Sequence, residues 1–371
     1  MDTSFRPSTR LKVLINALHA KTGGGVTHLR AVLPYLAKDP RLEIHLVLHQ
    51  SQLSRFDPLD EGIHPHLVSF RESYFRTLWW EQVRLPLMAW RLRARVTFSP
   101  ANFGPIFAPR PVIMLRNALA VGRRDWRPRR WVYWSALTLM TMASLLRARR
   151  AIAVSDYARR ALSFGLARQR IAVIPHGVDP AYSPPPAGST RGDFLLAVGD
   201  IYIQKNYLML IEALAIARQT HPGLTLKIAG ANVGDEYPGQ VSDAIKRHGL
   251  GDAIELLGSV DRNRLIALYR DCALLVFPST AETFGHPLVE AMASGTPIAS
   301  SNQAAMPEIL GDAGIYFDPL DPRDMAAAIG KIINDRDLAS RLGISAQKRA
   351  KRYSWEKAAR DTADILVAAG S

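Results

Sequence analysis

Short β-branched runs alternate along the chain with segments whose apolar residues recur every three or four positions. Leu11 to Ile15 predicts a strand. Gly23, Gly24 and Gly25 follow, and then Val26, Leu29, Val32, Leu33 and Leu36 share one helical face. Further on, Phe194–Val198 predicts a strand, Tyr207–Ala217 a helix, and Leu224–Ala229 a strand that ends at Gly230. Ala253–Leu257 and Ala273–Phe277 read as strands on either side of a helix over Arg262–Tyr269. Strand–helix alternation of this kind builds parallel sheets with helices on both faces. Ligands of such sheets bind beyond the carboxyl ends of the strands. Ser183, Pro184, Pro185, Pro186, Ala187, Gly188, Ser189 and Thr190 interrupt the pattern and read as a semi-rigid connection. Two doubly wound domains facing across a cleft are therefore expected.

Length agrees with that division: 371 residues, 48% of them apolar, suffice for two sizeable cores. Charge sharpens it. Residues 1–185 hold 28 basic and 11 acidic residues, a net of +17, whereas residues 186–371 hold 19 and 22, a net of −3. Within residues 71–150 all 16 basic residues are arginine, and six of the seven tryptophans lie there: Trp79, Trp80, Trp90, Trp126, Trp131 and Trp134. Arginine interleaved with tryptophan suits an anionic membrane surface. Nucleic acid and a plain solvated arginine-rich face are the competing readings. The uncharged stretch Trp131–Leu146 is 16 residues long, short of the about 20 that a membrane span needs, so a core or interfacial helix is expected. The single cysteine, Cys272, excludes a disulfide scaffold and sits in an apolar run, where an inert buried thiol is expected. The opening residues MDTSFRPSTR lack an apolar core, so no secretory signal is expected and the chain is read as cytoplasmic.

The most informative stretch is Glu282-Thr283-Phe284-Gly285-His286-Pro287-Leu288-Val289-Glu290, which follows a strand and a turn at Pro278, Ser279 and Thr280. Gly285 allows close backbone approach, and a helix from about Pro287 offers unpaired N–H groups to an anion. Glu290, expected in that helix's first turn, can accept hydrogen bonds from ribose hydroxyls, and Glu282 can reach a sugar hydroxyl. Two surface carboxylates, one favouring a helix N-terminus, would give the same spacing. Further pieces accompany it: Ile174-Pro175-His176-Gly177-Val178-Asp179, Val198-Gly199 leading into Gln204-Lys205-Asn206, Lys227-Ile228-Ala229-Gly230, and Tyr353-Ser354-Trp355-Glu356.

Together these resemble the retaining family-4 glycosyltransferases (glycosyl transferases group 1) of GT-B fold, densely over residues 150–360 and more loosely before that. The resemblance implies an N-terminal acceptor-binding Rossmann-like domain over residues 1–182, a linker over 183–193 and a nucleotide-sugar-binding domain over 194–350. Residues 351–371 would form a helix returning to the N-terminal domain. It also implies that Lys205 neutralises the donor diphosphate, with Gly199, Asn206 and Gly230 beside it. Glu282 would contact the transferred sugar and Glu290 the ribose. Amides around Phe284, Gly285, His286 and Leu288 would face the sugar and phosphates, and Val260 would border the base. Gly24 and Gly25, in the loop after the first strand, would meet phosphate or acceptor.

Two positions depart from the family pattern. Asp200 stands where an arginine often follows Val-Gly, and Met114-Leu115-Arg116-Asn117 lacks the usual histidine. Arg116 and Asn117 are the candidates to contact the donor in its place. Asp335-Arg336-Asp337 reads as surface rather than a metal motif, His176 as structural, and His286 as either a sugar contact or a loop closure. The expected chemistry is hexose transfer, with mannose from GDP-mannose the first guess. The expected acceptor is a saccharide, lipid-linked at the inner face of the membrane, in cell-surface polysaccharide synthesis; neither metal nor cofactor is expected. A catalytically silent polyanion binder on the same scaffold and a nucleotide-sugar epimerase are the alternatives.

Overall fold

The computed structural model describes residues 10–21, 23–71, 73–117, 128–166, 168–186, 188–234 and 236–371. The chain divides into two compact units, Met1–His176 with Trp355–Ser371, and Gly177–Ser354.

The first unit is built on seven parallel strands: β1 (Leu11–Asn16), β2 (Leu42–His49), β3 (Ile63–Val68), β4 (Val96–Ser99), β5 (Pro111–Leu115), β6 (Arg150–Ala153) and β7 (Ile171–Val173). Their order is β3-β2-β1-β4-β5-β6-β7. Val13, Leu14 and Ile15 of β1 are wholly buried, as a parallel sheet covered on both faces requires. Its helices are α1 (Gly24–Lys38), α2 (Tyr74–Trp79), α3 (Leu85–Arg91), α4 (Pro128–Arg147) and α5 (Asp156–Leu162). A π turn over Trp80–Arg84 joins α2 to α3 without a break.

The second unit carries six parallel strands: β8 (Phe194–Val198), β9 (Thr225–Ala229), β10 (Ile254–Gly258), β11 (Leu274–Phe277), β12 (Ile298–Ser301) and β13 (Ile315–Phe317). They run in the order β10-β9-β8-β11-β12-β13. Helices α6 (Tyr207–Ala217), α7 (Glu236–Arg247), α8 (Arg262–Asp271) and α9 (His286–Ala293) come first. Then follow α10 (Met306–Leu310), α11 (Pro322–Ile333) and α12 (Arg336–Ala350). The last helix, α13 (Trp355–Gly370), packs in the first unit, where its alanines allow close approach to α1. Both sheets reverse strand order beside their first strand, at β1/β4 and at β8/β11, and such switch points open a crevice at the strands' carboxyl ends.

The stretch expected as a linker lies within the second unit, where Arg270 donates to the Ser183 carbonyl (2.8 Å) and hydroxyl (2.6 Å). Cys272 is wholly buried, and burial pushes its thiol up to about 12. The uncharged stretch Trp131–Leu146 forms most of α4, with Leu137, Thr141, Ser144 and Leu145 buried and Leu139 and Leu146 exposed. Among the described residues no helix is long and apolar enough to cross a membrane. Glu72, Asp125, Trp126, Arg127 and Ala187 fall outside the described residues.

Candidate active site

β8 is followed by Gly199, whose φ of +142° favours glycine. Gly230, just past β9, presses on it so closely that a Cβ there would lie 2.0 Å from the Gly199 carbonyl oxygen. The Tyr207 hydroxyl donates to that same carbonyl at 2.7 Å. The chain then makes a 3₁₀ turn over Ile203–Lys205 and enters α6 through Asn206, left-handed at φ 58°. The side-chain amide of Asn206 donates to the carbonyls of Pro278 (3.3 Å) and Pro319 (2.6 Å), so this residue anchors the turn from behind. The bare face of Gly199 lets the Lys205 stem cross it, and Nζ donates to Glu282 Oε1 at 2.8 Å. Only 13% of the Lys205 and 15% of the Glu282 side chain is exposed, so solvent screens this pair far less than a surface ion pair.

Gly285, at φ 88°, turns the chain into α9. The helix begins at His286, which makes Glu290 its fifth residue, in the second turn and not in the first as expected. This is one helical position deeper, and it brings Glu290 against α8, where the Tyr269 hydroxyl donates to Oε2 at 2.9 Å. Burial pushes the Glu290 carboxyl up to about 7, with the Tyr269 bond and the Lys205 charge pulling the other way. Lys205 and Glu282 thus pair at the β8/β11 switch point, and Glu290 lies on the helix that follows β11, within reach of the lysine's charge. Leu288 departs from its expected part: its N–H is bonded to the Gly285 carbonyl (3.0 Å) and its side chain is core. Phe284 is buried edge-on between His286 and Tyr353. Val260 is half-buried just before α8.

Asp200, which stands where the family often has arginine, is exposed and held by one backbone bond. Its Oδ1 accepts the Ala231 N–H at 3.0 Å, which ties the exposed carboxylate to the loop after β9. Asp335 caps α12, and His176 packs against His28 and Trp355 in the first unit.

Gly24, Gly25, Arg116 and Asn117 belong to the first unit. The Arg116 guanidinium lies against Gly25 in the first turn of α1, where a Cβ would meet it at 3.0 Å, and burial lowers its pKa to about 10. The N–H groups of Arg116 and Asn117 both donate to Asn102 Oδ1, at 2.8 and 2.9 Å. Sequence reasoning passed over three residues nearby. Glu81, wholly buried in the π turn, takes Asn16 Nδ2 at 2.6 Å and His19 Nε2 at 2.8 Å. A carboxylate in an apolar helical segment, one of three acidic residues against sixteen arginines over residues 71–150, was the available signal.

Similar architectures among solved structures place the molecule in a fold class. Sucrose-phosphate synthase from Thermosynechococcus elongatus superposes with a TM-score of 0.76 at 18% identity, over 97% of this chain and 99% of that one. Anabaena HepE in complex with UDP and glucose gives 0.73 at 19%, over 96% and 100%. The class is the GT-B fold. A model of glycosyl transferases group 1 matches residues 183–349 and one of glycosyltransferase family 4 matches residues 22–182, and the chain belongs to this family. Among curated relatives, glycogen synthase from Mycobacterium tuberculosis is 34% identical over 211 residues, 56% of this chain and 50% of the relative. The MMP alpha-(1->4)-mannosyltransferase of Mycolicibacterium hassiacum is 28% identical over 209 residues, 54% and 49% respectively. The chain spans about half the length of the curated relatives it matches.

Proposed function

We propose that the protein moves a hexose, mannose by first preference, from a nucleotide-diphosphate sugar to a saccharide acceptor with retention at the anomeric carbon. The observation that carries this is the Lys205–Glu282 pair at 2.8 Å with Glu290 close enough to feel the lysine's charge. An ammonium has three N–H donors, so one on Glu282 leaves two for a diphosphate. In this reading Lys205 neutralises the charge that develops on the leaving group, which makes a metal dispensable. Glu282 keeps lone pairs for a sugar hydroxyl, and Glu290 takes the ribose hydroxyls with the oxygen that Tyr269 leaves open. The acceptor oxygen bonds to the anomeric carbon on the face that the phosphate leaves. The phosphate departs with the electron pair of the broken C–O bond and takes up the hydroxyl proton.

A membrane-bound acceptor finds support in the helical segment α2–π turn–α3. Phe75, Trp79, Val83, Leu87 and Trp90 recur along it every three or four residues and stay 41–80% exposed, with Arg76 and Arg84 between them and Arg91 directly after. A helix with an aromatic stripe flanked by arginine suits an anionic bilayer surface. The test is incubation with GDP-mannose, UDP-glucose or ADP-glucose alone and with alkyl glycosides, following nucleoside diphosphate release and the product's anomeric configuration. Release of diphosphate with an α-linked product supports the reading. Isomerised donor without transfer would point to an epimerase, and no binding of any donor to a silent scaffold.

A further inference from the structure

The most buried charge among the described residues of the first unit has no part in the proposed donor chemistry. Glu81 is wholly buried, and a carboxylate in that position is stable only when it is paired and hydrogen-bonded. Its oxygens are divided between two donors, Asn16 Nδ2 on Oε1 and His19 Nε2 on Oε2. Asn16 in turn accepts the Leu18 N–H at 3.2 Å, fixing the turn that presents His19. Phe103 packs edge-on against the imidazole at 4.9 Å and sets its plane. Glu81 reaches inward from a π turn, an irregularity that helices frequently carry at functional positions.

The constellation stands at the β1/β4 switch point: Asn16 ends β1, His19 lies three residues beyond, and Ser99, 3.4 Å from Asn16 Nδ2, ends β4. With Nε2–H donated to Glu81, the remaining nitrogen Nδ1 carries a lone pair and makes no hydrogen bond among the described residues. The imidazole keeps 27% of its surface exposed. Its charged neighbours are Glu81 from the π turn and Lys21 from its own loop. Burial pulls the imidazole down, Glu81 lifts it by charge and hydrogen bond, Lys21 opposes, and the balance lies above the ordinary value.

We propose that His19, oriented by Glu81, is the docking point for a hydroxyl of the acceptor sugar, which donates its O–H to Nδ1. This rests on the glycosyltransfer reading and adds a site on the first unit. Protonation of His19 turns Nδ1 from acceptor to donor, so acceptor use falls as pH drops through the imidazole's raised pKa, while donor use does not follow.

The experiment measures transfer from the preferred donor to octyl α-mannoside, octyl β-glucoside and octyl β-galactoside, and donor hydrolysis by water, in wild type, His19→Ala and His19→Gln. The expected result is an acceptor KM raised about 10-fold in His19→Ala, the worth of one hydrogen bond at a desolvated site. Donor KM and hydrolysis stay within about twofold, and His19→Gln, whose side-chain carbonyl also accepts, recovers part of the loss and flattens the acid limb of kcat/KM for the acceptor. An unchanged acceptor KM, or an equal loss in donor hydrolysis, overturns the proposal. So does a wild type that hydrolyses donor yet transfers to none of the three glycosides. A wild type that neither binds nor hydrolyses any donor removes the glycosyltransfer reading first, and this site with it.

Discussion

The two units share one sheet order up to the sixth strand, yet their switch points hold different chemistry. At β8/β11 a lysine and a carboxylate pair beside glycine-tight backbone, with a second carboxylate on the helix that follows, a set suited to a diphosphate and polyhydroxylated rings. At β1/β4 a buried carboxylate holds an imidazole, and the guanidinium of Arg116 lies against the N-terminus of α1. Topology supplies the crevice; the side chains decide what enters it. The first pocket is fixed by backbone that only glycine permits at Gly199 and Gly230. The second is fixed by a polar network that would be costly to leave half-satisfied.

Substitutions can break this contrast in order of expected size. Lys205→Ala removes the cation proposed to face the leaving group and should lower kcat by about 100- to 1000-fold, read as diphosphate release, with the fold intact by circular dichroism. Gly230→Ala forces a methyl into the Gly199 carbonyl and should cost about 1–3 kcal/mol of stability in denaturant unfolding. A Gly230→Ala chain as stable as wild type would show that the backbone around Lys205 is not tightly held. Glu290→Gln should weaken nucleotide binding about 10-fold in calorimetry, consistent with loss of a charged hydrogen-bond acceptor.

That last variant also separates the units by pH. The Glu290 carboxyl is raised to about 7 in the fold against 4.5 ordinarily. The folded chain therefore binds this proton more tightly than the unfolded one. Its contribution to stability is fully present below about 4.5 and is lost as pH rises through about 7. Nucleotide affinity moves oppositely, because ribose hydroxyls prefer the ionised acceptor: it should rise as pH goes from 6 to 8 in wild type and stay flat in Glu290→Gln. The smallest effect concerns the exposed stripe. Trp79→Ala with Trp90→Ala should reduce salt-sensitive co-sedimentation with anionic vesicles by about 10-fold, while transfer to soluble glycosides is unchanged. Equal sedimentation by both chains would remove the membrane part of the reading.

Much of the second unit was legible because its signals are local. Phe194–Val198 and Tyr207–Ala217 follow from apolar spacing alone, and they were read at the bounds observed. The Glu282–Glu290 spacing placed both carboxylates near one loop, although Glu290 stands one position further along α9 because the helix starts at His286. The exit taken by Asp200 was not legible, since its partner, the Ala231 N–H, lies 31 residues away. Tyr269 likewise reaches Glu290 through a single side-chain hydrogen bond across 21 residues of sequence. In the first unit the π turn defeats any reading by a 3.6-residue period: it shifts the helix's register at Trp80–Arg84 and turns Glu81 inward, away from the arginines around it in sequence. His19 and Glu81 are 62 residues apart, and no spacing rule joins them.

The central claim is that Lys205, Glu282 and Glu290 together receive one nucleotide sugar. Calorimetric titration of GDP-mannose and UDP-glucose into wild type and Lys205→Ala tests it most directly. The account predicts saturable one-to-one binding of one donor by wild type and binding at least about 10-fold weaker in the variant. Equal affinity in the two chains, or binding of neither donor by wild type, would contradict it.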